Sequence, residues 1–222
     1  MRVNPFMMLA AFAADWPRIS ALLDTGARRT LTVRLAGLRT APAGSAEERS
    51  AADAAVRAVL DALPADDAVR LWREGDTKRF AGTSPAALHQ GYAAADLCLL
   101  VIDGNPMVGP FLGPLRERLL AVTTLSPDDI GTAMDPRLIV LSHHNGERRL
   151  PAFQFEAGAM PWRVVLEVNE ELGADTDPWG AADWWLGANA WTGTAPAGLL
   201  GRDRDQELLG AARALAVPDG EE

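Results

Sequence analysis

The chain has 222 residues, of which 48% are hydrophobic and 23% are charged, proportions typical of a globular rather than a disordered protein. Its net charge of -9 argues against a general nucleic-acid-binding protein, which needs a basic face, and leaves only a local basic patch open. The single cysteine, Cys98, excludes an intrachain disulfide and a cysteine-based metal cluster, and it is typical of a cytoplasmic protein.

At this length the chain is one large domain or two small ones, and we predict two. No apolar run approaches the roughly 18 residues that a membrane-spanning helix needs, so we expect no membrane association and a cytoplasmic location. A single lysine beside abundant arginine and alanine is typical of a bacterial protein encoded by a GC-rich genome.

The first half of the chain predicts a bundle of helices. Asn4 and Pro5 start a helix over 6–15, and a second helix follows and ends near Gly26. The segment 29–38 fits a strand or a helix, and we favour a helix. Ser45 and Glu48 form a capping box for an alanine-rich helix. Its apolar face carries Val56, Val59, Leu60 and Leu63.

A short helix and a long apolar helix complete the predicted bundle. Residues 64–66 break the alanine-rich helix, and Val69 and Trp72 lie in the short helix that follows. Ser84 and Pro85 start the most apolar helix, 85–102, which we expect at the centre of the bundle. After a stretch interrupted by glycine and proline, 115–122 is helical. We place the domain boundary at 122/123, giving an N-terminal helical bundle of unknown function (1–122) and a second domain (123–222).

The second half predicts an α-rich domain with one β-hairpin, so the fold class is mainly α. Ser126 starts a short helix that ends at Met134. Residues 138–141 and 149–155 form the hairpin, with a turn at 143–146 and with Pro151 on an outer edge. Helices then follow at 161–172, 178–186 and 203–216. Val164, Val165, Val168 and Leu172 make the buried stripe of the first of these.

The residues with reactive side chains do not form a catalytic motif. Cys98 lies among leucines, which favours a buried structural thiol over a nucleophile. His143 and His144 adjoin a turn, which favours solvated side chains over a metal site. The glycines at 104, 109 and 113 lack the Gly-Lys-Ser/Thr of a phosphate loop. We therefore predict a protein that is not an enzyme and needs no cofactor or metal.

Five of the seven tryptophans fall within residues 148–200, which we call the tryptophan-rich segment. Clustered tryptophans make either a small aromatic core or a surface for another protein. Trp184 and Trp185 are adjacent on a predicted helix and point about 100° apart, so only one of them needs to be in the core. The other is then exposed or at an interface.

The tryptophan-rich segment and the last predicted helix, about 148–216, resemble the C-terminal toxin-binding domain of Xre/MbcA/ParS-type antitoxins. The resemblance rests on Leu150-Pro151-Ala152-Phe153-Gln154-Phe155, on Trp184-Trp185-Leu186, and on Asn189, Gly193, Pro196, Leu199 and Leu200. The chain departs from the family pattern at Ala188, Trp191 and Thr194-Ala195.

The resemblance implies a partner, a RES-domain toxin that consumes NAD. It implies that the C-terminal end of the chain lies near the active site of the toxin and excludes NAD. The residues that would shape the domain or its contact surface are Trp184, Trp185, Asn189, Trp191, Gly193, Pro196, Leu199 and Leu200. The last helix and the acidic residues 219–222 would approach the toxin, and acidic residues suit a basic cofactor pocket.

Other functions stay open. A transcriptional regulator would bind DNA through 115–155, where two helices and a hairpin carry arginines for phosphate. These arginines are Arg116, Arg118, Arg137, Arg148 and Arg149. An adaptor or scaffold protein would use the C-terminal domain for a different partner, an enzyme would need a polar pocket in the N-terminal bundle, and a homo-oligomer is possible.

Overall fold

The computed structural model of the chain describes residues 3–74, 91–130, 134–143, 146–156 and 160–216. It divides into two compact units, 1–114 and 115–222. The division lies eight residues before the predicted boundary, inside a helix, Gly109–Leu120, that contains Pro114. Mainly α structure with one small sheet was predicted, and this fold class is confirmed. Within the described ranges, none of the helices combines the length and the apolarity needed to cross a bilayer.

Helices build the N-terminal unit. Those that the structure describes are α1 (Pro5–Ala14), α2 (Trp16–Leu22), α3 (Thr25–Thr40), α4 (Ala46–Leu60), α5 (Ala68–Glu74), α6 (Ala94–Ile102) and the first part of α7 (Gly109–Leu120). Helix α3 packs on α4 and α6, and α1 packs on α4 and α6. Met8 to Ala13 of α1 are all buried, so the first helix lies at the centre of this unit together with α6.

Side-chain caps explain where three of these helices begin. Asn4 accepts a hydrogen bond from the amide of Phe6, and Asp24 accepts one from Ala27. Ser45 accepts from the amide of Glu48 at 3.0 Å, while the carboxylate of Glu48 accepts from the amide of Gly44. Such bonds satisfy amides that have no partner within the helix. The segment 29–38, predicted as a helix, is confirmed as part of α3.

The predicted helix 85–102 is wrong in its length. Gly91 has a φ of +81°, and Ala93 is extended with a φ of -122° and a ψ of 163°. A right-handed helix cannot pass through these conformations, so α6 begins at Ala94. A Cβ at position 91 would lie 2.5 Å from the Cβ of Pro110, so glycine is required there for close approach as well as for φ. Residues 85–90 lie outside the described residues.

A three-stranded antiparallel sheet opens the C-terminal unit. The strands are β1 (Thr124–Leu125), β2 (Leu141–Ser142) and β3 (Arg148–Pro151), in the order β1-β3-β2. The predicted hairpin is therefore present as β2 and β3, and β1 joins it through Thr124↔Pro151 and Leu125↔Leu150. Pro151 lies in the middle strand rather than an outer one, but it pairs only with β1, because β2 ends its pairing at Arg149.

Three helices follow the sheet, α8 (Arg163–Glu171), α9 (Pro178–Leu186) and α10 (Asp205–Ala216), and 3-10 turns lie at Ala152–Gln154 and Pro196–Leu199. Val164, Val165 and Val168 of the predicted stripe are buried, whereas Leu172, its fourth residue, follows the helix and is half-buried. The predicted helix from Ser126 to Met134 is wrong: a 3-10 turn covers Pro127–Asp129, and Ile130 is already extended. Residues 131–133 lie outside the described part of the chain.

Candidate functional site

Three buried polar side chains connect the elements of the C-terminal unit. The indole Nε1 of Trp185 donates to Oδ1 of Asn169 at 2.8 Å, and Nδ2 of Asn169 donates to Oε1 of Gln154 at 3.3 Å. Asn169 also donates to the backbone oxygen of Arg137 at 2.8 Å. All three side chains are at most 1% exposed. Because a buried polar group without a partner is costly, these bonds define how α8, α9 and the sheet meet.

The side-chain amide of Gln154 extends the sheet. Its Oε1 accepts from the amide of Ile139 at 2.8 Å, and its Nε2 donates to the carbonyl of Ile139 at 3.0 Å. This pair of bonds is the one that a neighbouring strand would make with Ile139. Gln154 belongs to the Pro-Ala-Phe-Gln-Phe stretch on which the family resemblance rests, and Asn169 was not predicted as a site residue. An asparagine on the apolar face of α8 was the available signal for it.

The five tryptophans of the tryptophan-rich segment occupy different environments. Trp185 is fully buried and Trp179 is 9% exposed, whereas Trp162 and Trp184 are half-buried. The ring centroid of Trp185 lies 5.1 Å from that of Trp184, in an edge-on arrangement, and 5.4 Å from that of Phe153, with the two rings tilted by 39°. Of the adjacent pair on α9, Trp185 is therefore the core residue and Trp184 lies partly at the surface.

Trp191 differs from the other four, because 71% of its surface is exposed. It lies on a turn that we define as residues 189–195 and call the Trp191 turn. The side chain of Asn189 holds this turn by accepting from the amides of Trp191 at 2.8 Å and Thr192 at 3.4 Å. The hydroxyl of Thr192 donates to the carbonyl of Thr194, and Gly193 has a φ of +68°. The turn is thus ordered by its own hydrogen bonds while it presents an indole to solvent.

The remaining predicted residues connect the Trp191 turn to the last helix. Pro196 and Leu199 are buried within a 3-10 turn that packs against α9 and α10, and Leu200 is half-buried. Helix α10 packs on α8, where Nε of Arg213 binds Glu171 at 2.9 Å. The eight predicted residues therefore divide between the core and the surface, and the structure assigns no ligand to them. Residues 219–222, predicted to approach the toxin, lie outside the described residues.

The arginines predicted for DNA are mostly held by carboxylates. Arg116 binds Glu117, Arg118 binds Asp183, and Arg149 binds Glu147. Arg137 binds Asp135 at 2.8 Å and lies 3.7 Å from Glu170. Hydrogen bonds from Arg137 hold the pKa of Asp135 below its usual value. Arg148 makes neither an ion pair nor a hydrogen bond with any described residue.

The reactive residues have ordinary structural environments. Cys98 is 6% exposed, and burial raises the pKa of its thiol, an effect that the nearby Arg39 partly offsets. In the part of the chain that the structure covers, no group of three or more histidine, cysteine, aspartate or glutamate side chains is arranged to hold a metal ion. The amide of His143 donates to the carbonyl of Glu147 in the hairpin turn, and His144 lies outside the described residues.

Comparisons with known proteins give no match to the chain, whether with protein-family models, with curated proteins or with solved structures. The resemblance of the tryptophan-rich segment to antitoxins therefore stays a prediction.

Proposed function

We propose that the chain is a non-catalytic protein-binding protein that contacts its partner through the Trp191 turn. The observation that carries this proposal is an indole that is 71% exposed on a turn held by hydrogen bonds. Tryptophan is the residue type most enriched among those that dominate binding energy in interfaces. A turn that is ordered before binding loses little conformational entropy when the partner arrives. Both properties favour protein recognition.

The partner that we propose is a RES-domain toxin that consumes NAD, which the chain would neutralise by steric blockage. The support for this class is the resemblance of residues 148–216 to antitoxin toxin-binding domains. The Trp191 turn belongs to this stretch and connects the helix with the tryptophan pair to the last helix along the chain. An acidic chain of net charge -9 also suits a basic cofactor pocket.

The test is co-expression of the chain with each protein encoded beside its gene, with growth rescue and co-elution on size exclusion as readouts. Wild type should rescue and co-elute. Trp191→Ala should lose both, with affinity reduced roughly thirtyfold or more, as expected for an interface hot spot. Met160→Ala is the matched control, because Met160 is 61% exposed in the same unit and should retain binding.

The substitution tests the proposal more cleanly than a truncation after Leu200. Helix α10 contains Leu208 and Ala212, both fully buried, so a truncation would remove part of the core. The proposal of a protein-binding turn fails if Trp191→Ala and Met160→Ala rescue and co-elute equally well. Loss of NAD consumption in the purified complex would support steric blockage, and unchanged consumption would favour an adaptor.

A further inference from the structure

The outer edge of β2 has free backbone groups. Along Ile139, Leu141 and His143, every second residue bonds inward, to Gln154, Arg149 and Glu147 in turn. Because alternate residues of a strand direct their amide and carbonyl groups to opposite sides, those of Val140 and Ser142 point away from the sheet. In the sheet order β1-β3-β2, β2 is an outer strand. Among the described residues, none bonds to these outward groups.

A groove of about 320 Å³ lies on the face of the sheet that carries the side chains of Val140 and Ser142. The even-numbered residues from 136 to 142 line one wall, with Leu138 and Val140 contributing apolar surface. Asp175, from the connection between α8 and α9, lies on the other wall. Because the lining residues recur at every second position, the spacing matches the side chains of a peptide in extended conformation.

Arg148 gives the groove a positive charge that no described carboxylate neutralises. It is the cross-strand partner of Ser142, so its side chain lies on the same face of the sheet as the side chain of Ser142. It is exposed, and it differs from Arg149, which is bound by Glu147. Asp175 also lines the groove, but among the described residues it accepts a hydrogen bond from Thr176 alone, at 3.5 Å, and forms no ion pair with Arg148. An acidic side chain at the Arg148 end of a bound peptide would complete a charge pair.

We propose that an extended segment of a protein partner adds as a strand along the outer edge of β2. Its side chains on the groove face enter the groove, and one of them, a glutamate or aspartate, pairs with Arg148. The outward amides and carbonyls of Val140 and Ser142 supply the backbone bonds, as in other cases of strand addition to a sheet edge. Arg148 selects the acidic residue. This binding surface is separate from the proposed Trp191 contact and does not depend on it.

The test uses fluorescein-labelled peptides of about eight residues, the length of an ordinary strand, with alternating valine and threonine and one central glutamate. Two further peptides carry glutamine or lysine in place of the glutamate. Fluorescence anisotropy measures their affinity for the full chain. We expect the glutamate peptide to bind roughly threefold to fivefold more tightly than the glutamine peptide, and the lysine peptide to bind most weakly.

Two variants of the chain separate the charge from the backbone. Arg148→Gln should remove the preference for glutamate, whereas Arg149→Gln, its neighbour on the opposite face, should keep it. Ser142→Pro removes an outward amide without removing a bond of the sheet, so it should weaken all three peptides by up to about tenfold. A circular dichroism spectrum like that of wild type verifies that Ser142→Pro is folded.

The proposal is overturned if no peptide binds, if Ser142→Pro binds like wild type, or if glutamate and glutamine peptides bind equally. A wild-type dimer that Ser142→Pro converts to a monomer, without peptide binding, would instead identify a second copy as the occupant and also overturn it. Trp191→Ala should bind the glutamate peptide like wild type, so failure of this proposal and failure of the Trp191 contact are distinguishable.

Discussion

Trp185 contributes both its aromatic surface and its hydrogen bond to the core of the C-terminal unit. Trp185→Phe would keep most of the apolar surface but leave Oδ1 of Asn169 buried without its donor. We expect the free energy of unfolding to fall by about 1–3 kcal/mol, the cost of leaving such a group unsatisfied. Urea unfolding followed by far-ultraviolet circular dichroism measures this change.

The matched control is Trp184→Phe, the same substitution on the neighbouring residue of α9. Trp184 is half-buried, and its indole N–H donates to none of the described residues. We therefore expect a smaller loss of stability from this variant. Equal losses in both variants would show that the bond to Asn169 does not contribute to stability beyond aromatic packing.

Cys98 should react slowly with thiol reagents in the folded protein. It is 6% exposed, and burial raises the pKa of its thiol, so the thiolate is a minor species at neutral pH. Because the pKa of Cys98 is raised, the rate of modification should increase only at pH values above the ordinary range of a cysteine pKa. We would measure the rate with a chromogenic disulfide reagent with and without urea. A folded-state rate equal to the unfolded-state rate would contradict a structural role.

At the scale of an element, helix α4 depends on the cap at Ser45. Ser45→Ala removes the acceptor of the Glu48 amide, and we expect the free energy of unfolding to fall by about 1 kcal/mol. Ser50→Ala on the exposed face of the same helix is the control, and it should be neutral or slightly stabilising, since alanine has the higher helix propensity. Thermal unfolding of both variants tests the difference, and a stability loss at Ser50 as large as that at Ser45 would contradict the argument.

Helix starts and stripes could be predicted because the signals are local. Asn4 and Ser45 cap the helices that they were predicted to start, through amides two or three residues away. Asp24, predicted near the end of the second helix, instead caps the start of α3. The predicted length of helix 85–102 was wrong. Its apolar pattern continues past Gly91 and Ala93, where the backbone is not helical. Gly91 must approach Pro110, and Gly109 must approach Tyr92, which are distant contacts that no window of sequence contains.

At the scale of the whole molecule, each of the two units has buried residues of its own. We expect Leu31→Ala to destabilise the N-terminal unit and Leu208→Ala the C-terminal unit, each by about 2–5 kcal/mol. Both leucines are fully buried, one in each unit. Hydrogen exchange followed by mass spectrometry should show lost protection mainly in the unit that carries the substitution. Equal loss of protection in both units for either variant would show that the chain unfolds as a single cooperative structure.

The Trp191 turn could be predicted from the sequence as a contact surface, whereas the groove lined by residues 136–142, Arg148 and Asp175 could not. The turn lies within the tryptophan-rich segment, so a protein-binding surface was predicted there, whereas the groove has no motif. Its two walls come from residues 136–142 and from Asp175, which are distant in sequence. Arg148 was predicted as one of five equivalent arginines, and only the positions of the carboxylates distinguish it from the other four.

The sequence by itself determined the mainly α fold class, the caps at Asn4 and Ser45, the β2–β3 hairpin and the buried valines of α8, because each depends on residues within a few positions of one another. Tertiary structure decided which tryptophan of the adjacent pair is buried, since the choice depends on Asn169 of another helix. It also decided the third strand, because Thr124 and Leu125 carry no strand pattern of their own and pair only once β3 is in place. Interactions between distant residues require the folded chain to bring both partners together.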